Sequence, residues 1–376
     1  MKTPDDSKDS KRDKTQWSES PFLIIKGFLM GSADIVPGVS GGTMALITGI
    51  YDRLIFAIKS VDKDAFMNLL KFRFTSVFDT FHWKFLMLLF TGIILAIAFF
   101  TKVVPLQVYM FTDPEIVYGL FFGLIVGSIV LLVIEISPEK RGWGNLFPLL
   151  AGAVFGFWIV TLVPTDTPES AWFVLLSGSI AICAMILPGI SGSYLLLIMR
   201  KYDYILSQIG SLGTIDTLPA ILNLLPFFAG AALGLILFSR VLSWLLENYH
   251  ATTLLVLIGF LIGSLYVIWP YQEREYQDSP RSTQIMEYTD PVVQDILERD
   301  EPPNLPEYKR IKEIINPGAS FDALKKAEVE TVSRKLLTSR PFVPDSDSEG
   351  INIWGGVYGM AGGLVMILFI AYLRKV

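Results

Sequence analysis

Eight apolar stretches, near residues 23 to 50, 85 to 104, 115 to 134, 146 to 163, 172 to 199, 221 to 239, 252 to 270 and 352 to 373, approach or reach the roughly 20 residues that a spanning helix needs. A chain built this way has the bilayer as its main solvent, and its backbone polar groups must be satisfied within the fold. Charged residues make up 18% of the chain, below the roughly 25% usual in soluble domains, which argues against a cytoplasmic globular enzyme.

The first and fifth stretches are too long for a single crossing, and each is interrupted by Pro-Gly-x-Ser-Gly, at 37 to 41 and 188 to 192. Proline removes a donor and glycine adds backbone freedom, so the helix stops there and both stretches read as re-entrant hairpins. Loop charge decides whether the first one spans. Residues 1 to 20 carry five basic side chains, and Arg53, Lys59, Lys63, Lys71, Arg73 and Lys84 follow the first stretch, so both flanks belong on the cytoplasmic side. The expectation is an all-α multi-pass membrane protein with six spanning helices, two re-entrant hairpins and both termini cytoplasmic. Arg200 and Lys201 then face outward, against the rule.

The expected organisation is a cytoplasmic tail (1 to 20), a first membrane repeat (21 to 163), a second (172 to 270 plus 351 to 373) and a soluble extracytoplasmic insert (271 to 350). Residues 61 to 81 place Phe66, Leu69, Leu70, Phe74, Val77, Phe78 and Phe81 at helical spacing, the pattern of an interfacial helix or of a surface helix packed on its own protein. The insert, with eleven basic and seventeen acidic residues, reads as a small, loosely folded elaboration with short amphipathic pieces. No basic stripe with interleaved aromatics supports a nucleic-acid partner. One cysteine, Cys183, and two distant histidines, His82 and His250, offer no Cys/His metal cluster, so no cofactor is expected.

Residues 27 to 55 align on 178 to 206 at a constant offset of 151, with eleven identities in twenty-nine positions. The match continues from 89 to 104 onto 227 to 242 at 138, from 122 to 128 onto 258 to 264 at 136, and from Ala151-Gly152 onto Ala361-Gly362 at 210, the insert accounting for the jump. Each repeat holds one broken segment and three spanning helices. An odd number of crossings turns the second copy upside down, the inverted architecture of alternating-access transporters with discontinuous helices near the midplane.

In VPGVSGG and LPGISGS the glycines free backbone N–H groups and Ser40 and Ser191 add hydroxyls. A helix starting just after Gly42 or Ser193 would aim its amides and dipole into a polar cavity, which suits an anion such as phosphate. The alternative is a Pro-Gly break that only lets hairpins pack tightly. Among cations, Lys102 and Arg240 are equivalent in the repeat, and snorkelling to the interface is their simpler role. Arg53 and the Arg200-Lys201 pair flank Asp52 and Asp203, with which they are expected to form ion pairs. Asp34 lies in an apolar run just before the first break. It can carry a coupling proton or cap loop amides.

The segment ADIVPGVSGGTMALITGIYDRLI, followed by a second PGISGS copy, resembles the family catalogued as domain of unknown function 368, the PopT-type polyprenyl-phosphate translocases. The likeness covers about 22 to 270 and 350 to 373 and leaves out the insert. It implies a flippase that moves undecaprenyl phosphate, the lipid carrier of cell-wall precursors, across the bacterial cytoplasmic membrane. The motif falls on Ala33, Asp34, Pro37, Gly38, Ser40, Gly41, Gly42 and Thr43, and its second half on Pro188, Gly189, Ser191 and Gly192. The second copy departs at Ser193 and Tyr194, where the first has Gly42 and Thr43. The expected phosphate contacts are these two loops with Ser193 and one or more of Arg53, Lys102, Arg200 and Arg240. A small-anion carrier of the same symmetry is the rival transport reading. An intramembrane lipid-phosphate enzyme fits poorly, because no base lies near Ser40 or Ser191 in sequence.

Overall fold

The computed structural model describes residues 15 to 36, 39 to 60, 82 to 136, 146 to 213, 215, 217 to 299, 301 to 315, 326 to 345 and 350 to 375. Pro37, Gly38 and the stretch from 61 to 81 lie outside them. After a 3-10 turn at Trp17–Glu19 come α1 (Ser20–Ile35), α2 (Gly41–Ile47), α3 (Tyr51–Lys59), α4 (Trp83–Lys102), α5 (Leu106–Thr112), α6 (Pro114–Glu135) and α7 (Leu146–Val160). They are followed by α8 (Ala171–Ile186), α9 (Gly192–Ile198), α10 (Tyr202–Gly210), α11 (Thr217–Asn248) and α12 (His250–Ile268). Beyond these lie β1 (Gln272–Glu287), α13 (Pro291–Leu297), β2 (Glu307–Ile315), β3 (Lys326–Pro341) and α14 (Ile353–Lys375).

The sequence punctuates these helices where it should. α1 carries Pro21 in its first turn and is C-capped by Val36, directly before Pro37; α8 is C-capped by Leu187, before Pro188. Among the described residues five helices, α4, α6, α11, α12 and α14, are long and apolar enough to cross a membrane, and the bent pair α2 and α3, which turn by 118°, would make a sixth. α7 and α8 are shorter, at 15 and 16 residues. The chain is a multi-pass membrane protein.

Small residues set the packing, as expected where lipid supplies no hydrophobic drive between helices. Gly27 approaches the backbone of Leu89 and Gly31 that of Ile93, so α1 and α4 run parallel. Gly178 approaches Phe227, and the Cys183 thiol donates to the Gly234 carbonyl at 3.8 Å, so α8 and α11 run parallel too. These are repeat-equivalent contacts: Gly27 and Leu89 become Gly178 and Phe227 at offsets of 151 and 138. Gly92 against Ile24 likewise becomes Gly230 against Leu175. The remaining helices cross over. α6 packs along α14 through Gly119, Gly123 and Gly127, which meet Gly356, Met360 and Ile367 in ascending order. α7 packs along α12, Gly152 and Gly156 meeting Val256 and Phe260. Both pairs are parallel.

The all-α expectation fails in the insert. β1, β3 and β2 form a three-stranded antiparallel sheet in that order, with Gln272 opposite Pro341 and Tyr308 opposite Val332. Of the piece read as amphipathic at 320 to 337, the described part from 326 is strand because Val329, Thr331 and Val332 are β-branched and Ala327 and Val329 alternate onto one buried face. Val293 from α13 joins Ala327 and Val329 in a small core. Nor is the insert loose. Tyr276 stacks on Phe111 of α5 at 5.0 Å, Asn304 Nδ2 donates to the Phe111 carbonyl at 2.6 Å, and the Arg274 guanidinium lies 4.3 Å from the Tyr118 ring of α6.

Candidate functional site

The two broken segments meet. Ser40 sits in extended backbone at the N-cap of α2, and its hydroxyl lies 3.2 Å from the Met185 carbonyl and 3.4 Å from that of Leu187, to which it can donate. From the facing loop, the Gly189 amide donates to Thr43 Oγ1 at 2.9 Å. A Cβ on Gly42 would lie 2.6 Å from the Ile186 carbonyl oxygen, so only glycine lets the two backbones come this close. Gly189 adopts φ +80°, a left-handed conformation that glycine enters at no steric cost. Ser40, Thr43, Pro188 and Gly189 are buried at this junction, and a serine or threonine so placed must find partners.

Around the first loop the chain supplies its own acceptors. Asp34 Oδ1 accepts the Gly41 amide at 2.7 Å and Ser40 Oγ accepts the Gly42 amide at 3.2 Å. The carboxylate thus caps the seven-residue helix α2, which is one of the two roles expected for it. In the second loop the residue equivalent to Asp34 is Met185, whose side chain is exposed. Ser191 Oγ accepts the Tyr194 amide at 3.4 Å and stands 3.0 Å from the Ser193 hydroxyl. Ser193 is exposed beside the buried Gly192. The Tyr194 hydroxyl donates to the Val160 and Leu162 carbonyls at 2.8 and 3.2 Å, tying α9 to the end of α7.

The expected cations are not gathered here. Arg53 donates to Glu19 Oε2 at 2.8 Å and to Thr15 Oγ1 at 2.7 Å, with its guanidinium over Phe85 at 4.6 Å. Arg200 pairs with Asp166 at 3.2 Å. Lys102 is exposed at the end of α4, and Arg240 is exposed along α11. The ion pairs expected for Asp52 form differently, since Asp52 Oδ2 faces His250 Nε2 at 3.1 Å. The residue that sequence reasoning undervalued is Lys201. It is buried, donates to the Thr167 carbonyl at 3.0 Å, and lies over the Phe173 and Tyr204 rings at 5.6 and 5.9 Å. Its signal was present: Arg200 and Lys201 replace Gly49 and Ile50 of the first copy. Arg200 even occupies the left-handed conformation, φ 49°, that Gly49 adopts at 71°.

The two copies are therefore clasped alike. Arg53 holds the segment that leads into α1, and Arg200 and Lys201 hold the segment that leads into α8, where the Thr165 amide also donates to the Ile198 carbonyl at 2.9 Å. Among the described residues no group of three or more His, Cys, Asp or Glu side chains is placed to hold a metal.

A family model described as undecaprenyl phosphate translocase-like matches residues 30 to 286. A polyprenyl-phosphate transporter of Vibrio cholerae is 41% identical over 249 residues, which cover 66% of this chain and 77% of the relative. A polyprenyl-phosphate transporter of Staphylococcus aureus is 29% identical over 258 residues, covering 66% of this chain and 85% of the relative. No solved structure matches the chain. The match takes in both loops, and the chain belongs to the undecaprenyl phosphate translocase-like family, whose named relatives are transporters rather than enzymes.

Proposed function

We propose that the chain carries undecaprenyl phosphate, or a closely related polyprenyl phosphate, across the bacterial cytoplasmic membrane for lipid-carrier recycling, by alternating access between two inverted repeats. The observation that carries this reading is the buried junction of the two Pro-Gly-x-Ser-Gly loops, where Ser40 and Thr43 of one copy bond the backbone of the other. Helix directions support the inversion. α1 runs parallel to α4, so the chain returns to its starting side between them, as a re-entrant hairpin does. The last helix of each copy runs parallel to the third helix of the other, whereas consecutive crossings within one copy are antiparallel. Residues 21 to 163 then form one repeat and 172 to 270 with 351 to 373 the other, with the termini cytoplasmic and the sheet of 271 to 350 outside.

The phosphate head would enter by exchange. Its oxygens replace the Met185 and Leu187 carbonyls as acceptors for Ser40 Oγ–H, and replace Thr43 Oγ1 as the acceptor for Gly189 N–H. Ser191 and Ser193 offer hydroxyls from the second loop. Charge comes from one or more of Arg53, Lys102, Arg200 and Arg240. The clasping ion pairs of Arg53 and Arg200 are partly exposed, worth only ~0–1 kcal/mol each, and are easily exchanged for a phosphate. The polyprenyl tail stays in lipid while the head crosses. Asp34, held on the Gly41 amide, is the candidate for a coupled proton.

Translocation of polyprenyl phosphate in liposomes tests the scheme. A Ser40→Ala, Ser191→Ala, Arg240→Ala triple variant should lose most of its rate; a wild-type rate would remove the site assignment. Competition by soluble phosphate without competition by lipid phosphate would replace it with a small-anion carrier.

A further inference from the structure

The two hairpins are equivalent in sequence but not in posture. After its break, the first copy continues into α3 and the second into α10. At the offset of 151, Tyr51 is 1% exposed where Tyr202 is 37%, and Ile55 is 0% exposed where Leu206 is 39%. The difference has a visible cause. α3 packs against α11, a helix of the other copy: Lys59 Nζ donates to Ser243 Oγ at 3.0 Å and to Glu247 Oε1 at 2.8 Å. Asp52 faces His250, the first residue of α12, at 3.1 Å. α10 instead lies against the start of α11 in its own copy, where Asn223 Nδ2 donates to Gln208 Oε1 at 3.1 Å.

Resting on the alternating-access reading above, we infer that Lys59–Glu247 and Asp52–His250 are the latch of a gate that is shut on the α3 side while the α10 side stands open. The Lys59–Glu247 half of the latch is not repeated on the other side. Continuing the repeat offsets puts Gly210 in the place of Lys59 and Tyr109 in that of Glu247, which cannot form an ion pair. The second gate lacks that pair and offers instead the apolar face of α10 that shows Tyr202, Leu206 and Ile209. An unequal pair of gates suits a carrier with a preferred resting side, since the Lys59–Glu247 ion pair holds one of its two states and has no counterpart at the repeat offsets in the other. Both pairs are half-exposed, so they bias the equilibrium without locking it.

Thiol accessibility tests this without any assay of transport, so a failure of the lipid assignment is distinguishable from a failure of the gate. In full-length protein reconstituted in liposomes, on a Cys183→Ser background, Ile55→Cys and Leu206→Cys report the two sides to a membrane-impermeant maleimide. Wild-type gating should protect Ile55→Cys and expose Leu206→Cys. Adding Lys59→Met and Asp52→Asn should raise labelling at 55 by about tenfold, the change in an equilibrium that 1.4 kcal/mol produces, and lower it at 206. The exchanged pair Lys59→Glu with Glu247→Lys should restore protection at 55. Labelling at 55 that does not change, or that rises without a fall at 206, overturns the latch. So does an exchanged pair that is monodisperse but unprotected.

Discussion

At the first loop Asp34 takes the Gly41 amide, Gly42 lies against the Ile186 carbonyl, and Thr43 receives the Gly189 amide. At the second loop the same three places hold Met185, Ser193 and Tyr194; the methionine and serine face outward and the tyrosine reaches sideways to α7. One loop is thus fastened to its own helix and to its counterpart, while the other is fastened to the scaffold. A duplicated motif has split its work: the first copy makes the junction between halves, and the second presents hydroxyls beside it. The lesson is that motif identity locates a site, whereas the flanking departures decide what each half of it does.

The sharpest way to break this comparison is at the glycine that has no second copy. Gly42→Ala puts a methyl against backbone and should cost roughly 1–3 kcal/mol as overpacking, with loss of transport, while Ser193→Ala should stay within about 0.5 kcal/mol. Thermal unfolding in detergent measures both, and equal losses would remove the distinction. The junction itself comes next. Thr43→Val strands the buried Gly189 amide and should cost about 1–3 kcal/mol, whereas Tyr194→Phe gives up one hydroxyl and should cost about 1 kcal/mol. The smallest effect concerns the turns after the short helices. Gly49→Ala should destabilise by about 1–2 kcal/mol because a side chain is forced into the left-handed region. Arg200→Gly should stabilise or leave stability unchanged, since it relieves that strain at the expense of an exposed ion pair.

Much of this is legible in the amino-acid sequence. Apolar length marked α4, α6, α11, α12 and α14, and proline marked the ends of α1 and α8. The offset of 151 pointed to both loops because glycines in register are not a by-product of membrane composition. What stayed hidden was of three kinds. Partner choice among charges depends on which helix ends come together, so Asp52 facing His250, 198 residues away, left no local signal. The insert was misread because its charge density resembled a loose loop, while a period of two over Ala327 and Val329 covers too few residues to outweigh the helical character of the rest. Lys201 illustrates a third case: it is expected to face outward with Arg200 as an ion-pair partner of Asp203, and nothing in its sequence neighbourhood tells of its burial on the Thr167 carbonyl.

The crossover of the last helices has a consequence for how the protein is made. α6 enters the membrane with a glycine face at 119, 123 and 127 whose partner, α14, leaves the ribosome only after residues 136 to 352. Until then that groove is lined with lipid or with the insertion machinery, and the sheet between β1 and β3 has to form on the way. The insert thereby sets a clock on assembly, and lengthening it should prolong the interval in which the nascent chain is open to proteolysis, a delay that pulse-chase labelling reads directly.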